Sequence, residues 1–315
     1  MYYGGREVAG EKSPIQIQAV LGPQVPLTEF YNHTLRGNYV AAGVGMRNRG
    51  FGTINITLPA GSTILKAFLY WAVIRGTGDP PVPDTGTLNG TAITADVRYT
   101  SGDPLWPDGS GFIDAFRADV TGIAVAGANV LTDFPSGLGD ATPPQDASTA
   151  FPLMEGASLV VIFQNPTFPR TTVVINDGAQ TFVADTVSTT LQNFEVYGPP
   201  VQAQTTYVVA DGQARFADDK ALFNGTIVAG PGSSLKPQDA FNGADGTSLP
   251  GFAQDGLWDT LTVDVTSLVN IGDTSVEAAI RGISGGGDAL TYIAQVFAVT
   301  APPARGFKPS DLAAE

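Results

Sequence analysis

The side chains in this chain that could do chemistry are mostly carboxylates. Asp103, Asp108, Asp114, Asp255 and Asp259 stand in or beside segments rich in Gly and Pro. Two acids held roughly 5–10 Å apart across a cleft can hydrolyse a glycosidic bond, one protonating the leaving group and the other assisting attack. Acidic loops beside aromatic residues are also common in proteins that catalyse nothing, and no spacing here marks a pair, so no enzyme is expected. The chain has one histidine, His33, in Tyr31-Asn-His-Thr34. A Ser–His–Asp triad would have to use it. Its setting reads instead as a surface or capping histidine.

A second chemistry is cation binding. Asp239, Asp245, Asp255 and Asp259 cluster in a Gly-rich stretch, where carboxylates and free carbonyls can surround a hard cation such as Ca2+. They match no EF-hand spacing, and the commoner reading of such residues is ordinary solvated loop acids. A third chemistry is stacking on sugars by tryptophan. Trp71 sits in an apolar run and reads as core. Trp106 and Trp258 lie in a loop or on the polar side of a strand, and are the candidate sugar platforms. Four Asn-x-Thr triplets begin at Asn32, Asn55, Asn89 and Asn224. Two of them are Asn-Gly hairpin turns, which have their own structural reason.

Bulk properties narrow the classes further. The 315 residues carry a formal charge of −14 with only 16 Lys and Arg. Nucleic-acid binding needs a basic stripe that displaces counterions, and none is present. With no cysteine and one histidine, disulfides, thiolate sites and multi-histidine metal sites are ruled out. No run of ~20 apolar residues could span a membrane as a helix. The first residues lack the apolar core of a signal peptide, so the expectation is a mature form or export by another route. Gly (38) and Pro (23) together make up about one residue in five, against a usual ~12%. Since 43% of the chain is still hydrophobic, the excess marks many turns rather than disorder.

The elements that must position these residues are strands. In Asp255 to Val269, Leu257, Leu261, Val263 and Val265 share one parity, while Trp258, Thr260, Thr262 and Asp264 share the other. Period two is the mark of a half-buried strand. Asp264 or Thr266 can cap the turn that follows, and Gly272 lets the chain reverse. Ile64–Ile74, Ala157–Phe163 and Asp288–Thr300 are apolar on both parities and read as central strands covered on both faces.

A weaker copy of this stretch is Ala118-Asp-Val-Thr-Gly-Ile. Leu88-Asn-Gly-Thr-Ala-Ile93 likewise matches Phe223-Asn-Gly-Thr-Ile-Val228, in the same order along the chain. These repeats suggest an internal duplication, although convergent turn chemistry could produce them too. At the N-terminus Pro14, Pro23 and Pro26 forbid a helix. Ile15, Ile17, Val20 and Leu21 could form one strand, either an edge of its own sandwich or an arm given to a neighbouring copy.

Several stretches carry a family likeness: Gly37-Asn-Tyr-Val-Ala-Ala-Gly-Val-Gly45, Lys66-Ala-Phe-Leu-Tyr-Trp-Ala72, Glu155-Gly-Ala-Ser-Leu-Val-Val161, Trp258-Asp-Thr-Leu-Thr262 and Gly287-Asp-Ala-Leu-Thr291. The chain resembles an uncharacterised family of secreted bacterial and archaeal surface proteins. Its Asp-Val-Thr turn is similar to that of galactose-binding-like jelly rolls. The resemblance implies a fold and a location, not an activity. Members often carry Cys where this chain has Ala289, so no disulfide is carried over.

The expected fold is all-β: two jelly-roll-like antiparallel β-sandwiches related by internal duplication, with strand sharing between them left open, and an extended N-terminal arm. The expected divisions are an arm at 1–35, sandwiches at 36–185 and 186–303, and a tail at 304–315. The expected function is that of an extracellular, non-enzymatic structural protein whose partners are copies of itself. The alternative is a cell-surface adhesin module that binds glycans.

Overall fold

The computed structural model describes residues 22–47, 49–103, 111–137, 151–214, 216–245, 256–282 and 289–304. The fold is all-β and antiparallel. In chain order the strands are β1 (Val25–Gly45), β2 (Gly52–Ile56), β3 (Thr63–Gly76), β4 (Thr85–Leu88), β5 (Thr91–Thr94), β6 (Val97–Asp103), β7 (Gly111–Asp119), β8 (Gly127–Thr132) and β9 (Leu153–Gln164). They continue with β10 (Arg170–Phe182), β11 (Thr186–Gln192), β12 (Ala203–Ala210), β13 (Lys220–Phe223), β14 (Thr226–Ala229), β15 (Trp258–Asp264), β16 (Ser275–Arg281) and β17 (Leu290–Thr300). A short 3-10 turn, Thr266–Leu268, follows β15.

One nine-stranded sheet, in the order β15-β12-β17-β10-β1-β9-β3-β7-β6, runs through the molecule. Two four-stranded sheets, β11-β16-β13-β14 and β2-β8-β4-β5, cover its two halves. The large sheet is apolar on both faces because it separates three cores. Alternate residues of β3 show this: Ala67, Leu69, Trp71 and Val73 pack toward β2-β8-β4-β5, while Phe68, Tyr70, Ala72 and Ile74 enter a middle core. In β12, Tyr207 and Val209 face the other small sheet, while Val208 and Ala210 enter the same middle core. The middle core therefore draws on both halves of the large sheet, which curls back upon itself. The expected runs without alternation are the strands wetted on neither face.

The curl is centred on β1. Residues 25–36 of this 21-residue strand pair with β10, and residues 37–45 pair with β9. The exchange of partners falls at Gly37, whose φ is +153° and where a Cβ would stand 2.0 Å from the Phe163 carbonyl oxygen. Only glycine fits there. Residues 25–35, expected to belong to an arm, are thus an integral strand of this chain. Leu27 and Leu35 are buried and Phe30 and Tyr31 pack partly against the middle core, and Pro26 falls only at the strand's start. Ile15, Ile17, Val20 and Leu21 lie outside the described residues, as do residues 305–315 of the tail.

The two halves repeat one tie. Asn89 has φ 51° and Asn224 φ 46°, each followed by a glycine of positive φ, as the tight hairpin turn requires. The Asn89 backbone N–H donates to Val130 O, its Oδ1 accepts from Val130 N–H, and its Nδ2 donates to Ile123 O. Asn224 makes the same three bonds with Glu277 and Leu268. Below each hairpin lies the Asp-Val-Thr turn. Asp119 Oδ1 accepts from Thr121 N–H, and Thr121 Oγ1 accepts from Ala67 N–H. Asp264, Thr266 and Ala203 do the same.

The far strand of one half docks on the other half, and Trp258 makes the largest side-chain contact there. The Trp258 ring lies across Gly156 of β9, where a Cβ would come within 2.6 Å of the indole Cγ. Its Nε1–H donates to Ser158 Oγ at 2.8 Å. A methyl group at position 156 must push the ring off the sheet. Overpacking of this kind costs about 1–3 kcal/mol. Gly156→Ala should therefore lower stability by at least that range, read as a fall in the urea midpoint at unchanged slope.

Candidate functional site

The candidate acids gather where β12 ends and β15 begins. Asp259 follows Trp258 on β15 and is buried, because the curled sheet and the loop after β14 cover it. Its Oδ1 accepts from Lys236 Nζ at 2.9 Å and from Ala244 N–H at 3.1 Å, and its Oδ2 accepts from Gly243 N–H at 2.8 Å. Lys236 also donates to Ala240 O and Asn242 Oδ1, both at 3.0 Å. An ammonium has three protons to give, and here all three are placed. The cation that this loop folds around is the chain's own lysine.

The remaining acids surround that pair. Asp239 Oδ1 accepts from Phe241 N–H at 3.2 Å, which closes a local turn. Asp245 Oδ2 accepts from Thr260 Oγ at 2.5 Å, and Thr260 in turn meets Ser158 at 2.6 Å. Asp219, just before β13, is buried, and among the described residues its Oδ2 has no hydrogen-bond partner; the same holds for Asp239 Oδ2. Burial, reinforced by the charges of Asp239, Asp259 and Asp218, pushes Asp219 up to about 8. Burial raises Asp245 to about 7, with the Asp259 charge adding to it. Burial likewise raises Asp239 to about 6, against the opposing Phe241 N–H and Lys236. A carboxyl that loses its water shell favours the neutral form.

Beside this loop lies an ion network that joins the halves. Arg47, just past β1, reaches Glu155 of β9 at 2.6 Å and Asp211, just past β12, at 2.7 Å. Arg47, Arg49 and Glu155 are all buried. Removing one member of a buried ion pair strands the other charge, typically at a cost of 3–5 kcal/mol. A second buried pair, Arg117 with Asp177, ties β7 to β10. The hydroxyls of Tyr99 and Tyr70 donate to the same Asp177 carboxylate, at 2.8 and 3.3 Å, and Arg117 lies 3.6 Å over the Phe30 ring.

Of the expected acids, Asp103 ends β6, opposite Gly111 of β7. Trp258 is fully buried, so its faces are not open to a sugar. Its parity looked polar, but at this end of β15 that side meets the middle core, and only Thr262 and Asp264 further along are exposed. Asp239, Asp245 and Asp259 share a neighbourhood, where Asp239 Oδ1 is taken by Phe241 N–H, Asp245 Oδ2 by Thr260, and Asp259 by Lys236 and two backbone N–H groups. Among the described residues no group of three or more acidic or imidazole side chains is placed to hold a metal ion. Asp114 is buried, between Arg75 Nε at 2.9 Å and Thr100 Oγ at 2.6 Å. His33 is exposed on β1, with its ring 6.3 Å from that of Tyr31. Asp255, Asp108 and Trp106 lie outside the described residues. Reading by motif missed Asp219, Lys236 and the Arg47–Glu155–Asp211 network. The one signal for Lys236 was an isolated lysine in an acidic, Gly-rich loop.

Comparison with known proteins adds a family. The model of the family described as "Protein of unknown function (DUF3344)" matches residues 2–300, and the chain belongs to that family. No curated protein matches it. Among solved structures, it is similar to the major capsid protein P2 from bacteriophage PM2, at 12% identity and TM-score 0.23, covering 85% of this chain and 100% of that one. It is also similar to BuGH86wt in complex with neoagarooctaose, at 10% identity and TM-score 0.23, covering 87% of this chain and 34% of the other. A third similarity is to PNGase F, a glycosylasparaginase from Flavobacterium meningosepticum, at 9% identity and TM-score 0.26, covering 89% and 96%. The chain thus spans about a third of the length of the agarooligosaccharide-bound protein. Among the described residues no helix is long and apolar enough to cross a membrane.

The raised carboxyls set a direction for pH. Between the ordinary value of 3.8 and their raised values of about 6 to 8, the folded state holds protons that the unfolded state has released. Stability from this cluster is therefore complete at acid pH and falls as pH rises through that window. The melting temperature should drop between about pH 5 and about pH 8.5. Asp219→Asn, which cannot ionise, should raise it at the alkaline end and leave it nearly unchanged at the acid end. Calorimetry of both proteins across this range checks the sign.

Proposed function

We propose that this chain is a non-enzymatic extracellular structural protein, a subunit of a surface filament, sheath or layer of the kind made by secreted bacterial and archaeal surface proteins. Its partners are copies of itself, joined by exchange of an N-terminal strand or arm. The observation that carries the reading is how the ionisable groups are used. The candidate acids described above, together with Arg47, Lys236 and Arg117, hold loops and halves to one another. A body of four stacked sheet layers, cross-braced in this way, suits a load-bearing unit.

A second observation supports the arm. The first described residues run beside β6, the edge strand of the large sheet. Gly102 N–H donates to Pro23 O at 2.8 Å, and Ser101 Oγ donates to Gln24 Oε1 at 3.0 Å. Residues 23 and 24 therefore lie against β6, the last strand of the large sheet among the described residues, and a strand edge is a template for another chain. The glycan-binding reading rests now on Trp106, since Trp258 is enclosed.

Deletion of residues 1–21, stopping short of β1, separates the two readings. The truncated protein should melt like the full chain but no longer form polymers, as seen by light scattering and negative-stain microscopy. A full-length chain that stays monomeric and binds sugars on a glycan array would replace this proposal with the adhesin reading.

A further inference from the structure

The four Asn-x-Thr triplets carry one modification chemistry, attachment of a glycan to the asparagine amide, and the fold treats them very differently. At Asn89 the side-chain amide donates to Ile123 O at 3.1 Å and to Asn129 Oδ1 at 3.2 Å. At Asn224 it donates to Leu268 O at 3.0 Å. Both nitrogens point beneath their hairpins, where they tie the halves' Asp-Val-Thr turns. At Asn32 the amide faces Asn193 O at 3.1 Å, with Gln192 O and Glu29 Oε2 at 3.4 Å. Its companion Thr34 bonds to Thr172 at 2.8 Å. A glycan on Asn89 must displace one of its two amide bonds, and at Asn32 and Asn224 the nitrogen already faces backbone carbonyls of other segments.

Asn55 is different. It lies on β2, the edge strand of the β2-β8-β4-β5 sheet, and its neighbours Ile54 and Ile56 turn into the core. Asn55 and Thr57 are both exposed. Among the described residues no group bonds to the side chain of either. Opposite Asn55 in the ladder stands Ala128, and Thr53 faces Val130. The side chains paired beside Asn55 on this strand are thus uncharged.

We infer that Asn55 is an N-glycosylation site, taking its sugar from a lipid-diphosphate-linked oligosaccharide. In the transfer Asn55 Nδ2 forms a bond to the anomeric carbon, and the bond from that carbon to the diphosphate oxygen breaks. The lipid diphosphate leaves with the electron pair, and the proton lost from Nδ2 passes to a base of the transferase. Oxidation states do not change. The glycan projects from the outer face of the small sheet and leaves every hydrogen bond described above intact. The inference rests on the extracellular location proposed above, because the transfer takes place where exported chains meet lipid-linked sugars.

The test uses full-length protein produced in its own cells. Protease shaving of intact cells reports location, and mass mapping of peptides reports attachment. The expected result is an extracellular chain whose Asn55 peptide carries a glycan, with Asn32, Asn89 and Asn224 bare. Both Asn55→Gln and Thr57→Ala should abolish the mass increment, while Asn32→Gln should leave it. An extracellular chain with an unmodified Asn55, or with its sugar on another of the four, overturns the inference and leaves the location standing. A chain protected inside the cell overturns both the location and the inference built on it.

Discussion

The structure depends on one strand serving two partners. β1 is long enough to pair with β10 along its first half and with β9 along its second, and Gly37 lets its backbone press against Phe163 at the exchange. Because both halves share this strand, their sheets form one continuous surface that curls around a middle core. That core removes the solvent face each half would otherwise keep. Apolar burial is the main favourable term in folding, and here it falls on both sides of the same strands.

A sheet dry on both faces has little tolerance for loose polar groups, since an unpaired buried one costs about 1–3 kcal/mol. The chain answers with short polar chains at the margins of the middle core. Trp258, Ser158, Thr260 and Asp245 form one. Tyr39, Thr206 and Thr262 form another. Arg47 with Glu155 and Asp211, and Arg117 with Asp177, anchor the halves by charge. In the Asp219–Asp239 neighbourhood one buried oxygen of each carboxylate has no hydrogen-bond partner among the described residues. Protonation rather than pairing relieves it, so this corner responds to pH.

Much of the strand content was legible from local signals. The runs at Ile64–Ile74 and Ala157–Phe163 were readable as doubly covered because both parities are apolar, and the Asn-Gly hairpins because few residue pairs suit that turn. The candidate site was far less legible. Trp258 sits on a parity filled with Thr and Asp, so alternation alone put it in water. Its burial comes from Gly156 and Ser158, about a hundred residues away in sequence. The same limit applied to Asp259, whose partner Lys236 stands 23 positions earlier across a loop with no regular pattern.

The sequence by itself determined the class of structure: alternating and doubly apolar runs punctuated by Gly and Pro, with no cysteine, one histidine and a strong negative charge. Periodicity and composition are local quantities, and strands and turns are set mostly by local chemistry. Only the tertiary structure decided that β1 belongs to the body and that the indole of Trp258 is a brace. It alone decided that the acidic loop closes on a lysine, and which one of four similar triplets leaves its amide in solvent. Each of these depends on what the far side of a curled sheet brings near, and no window along the chain contains that information.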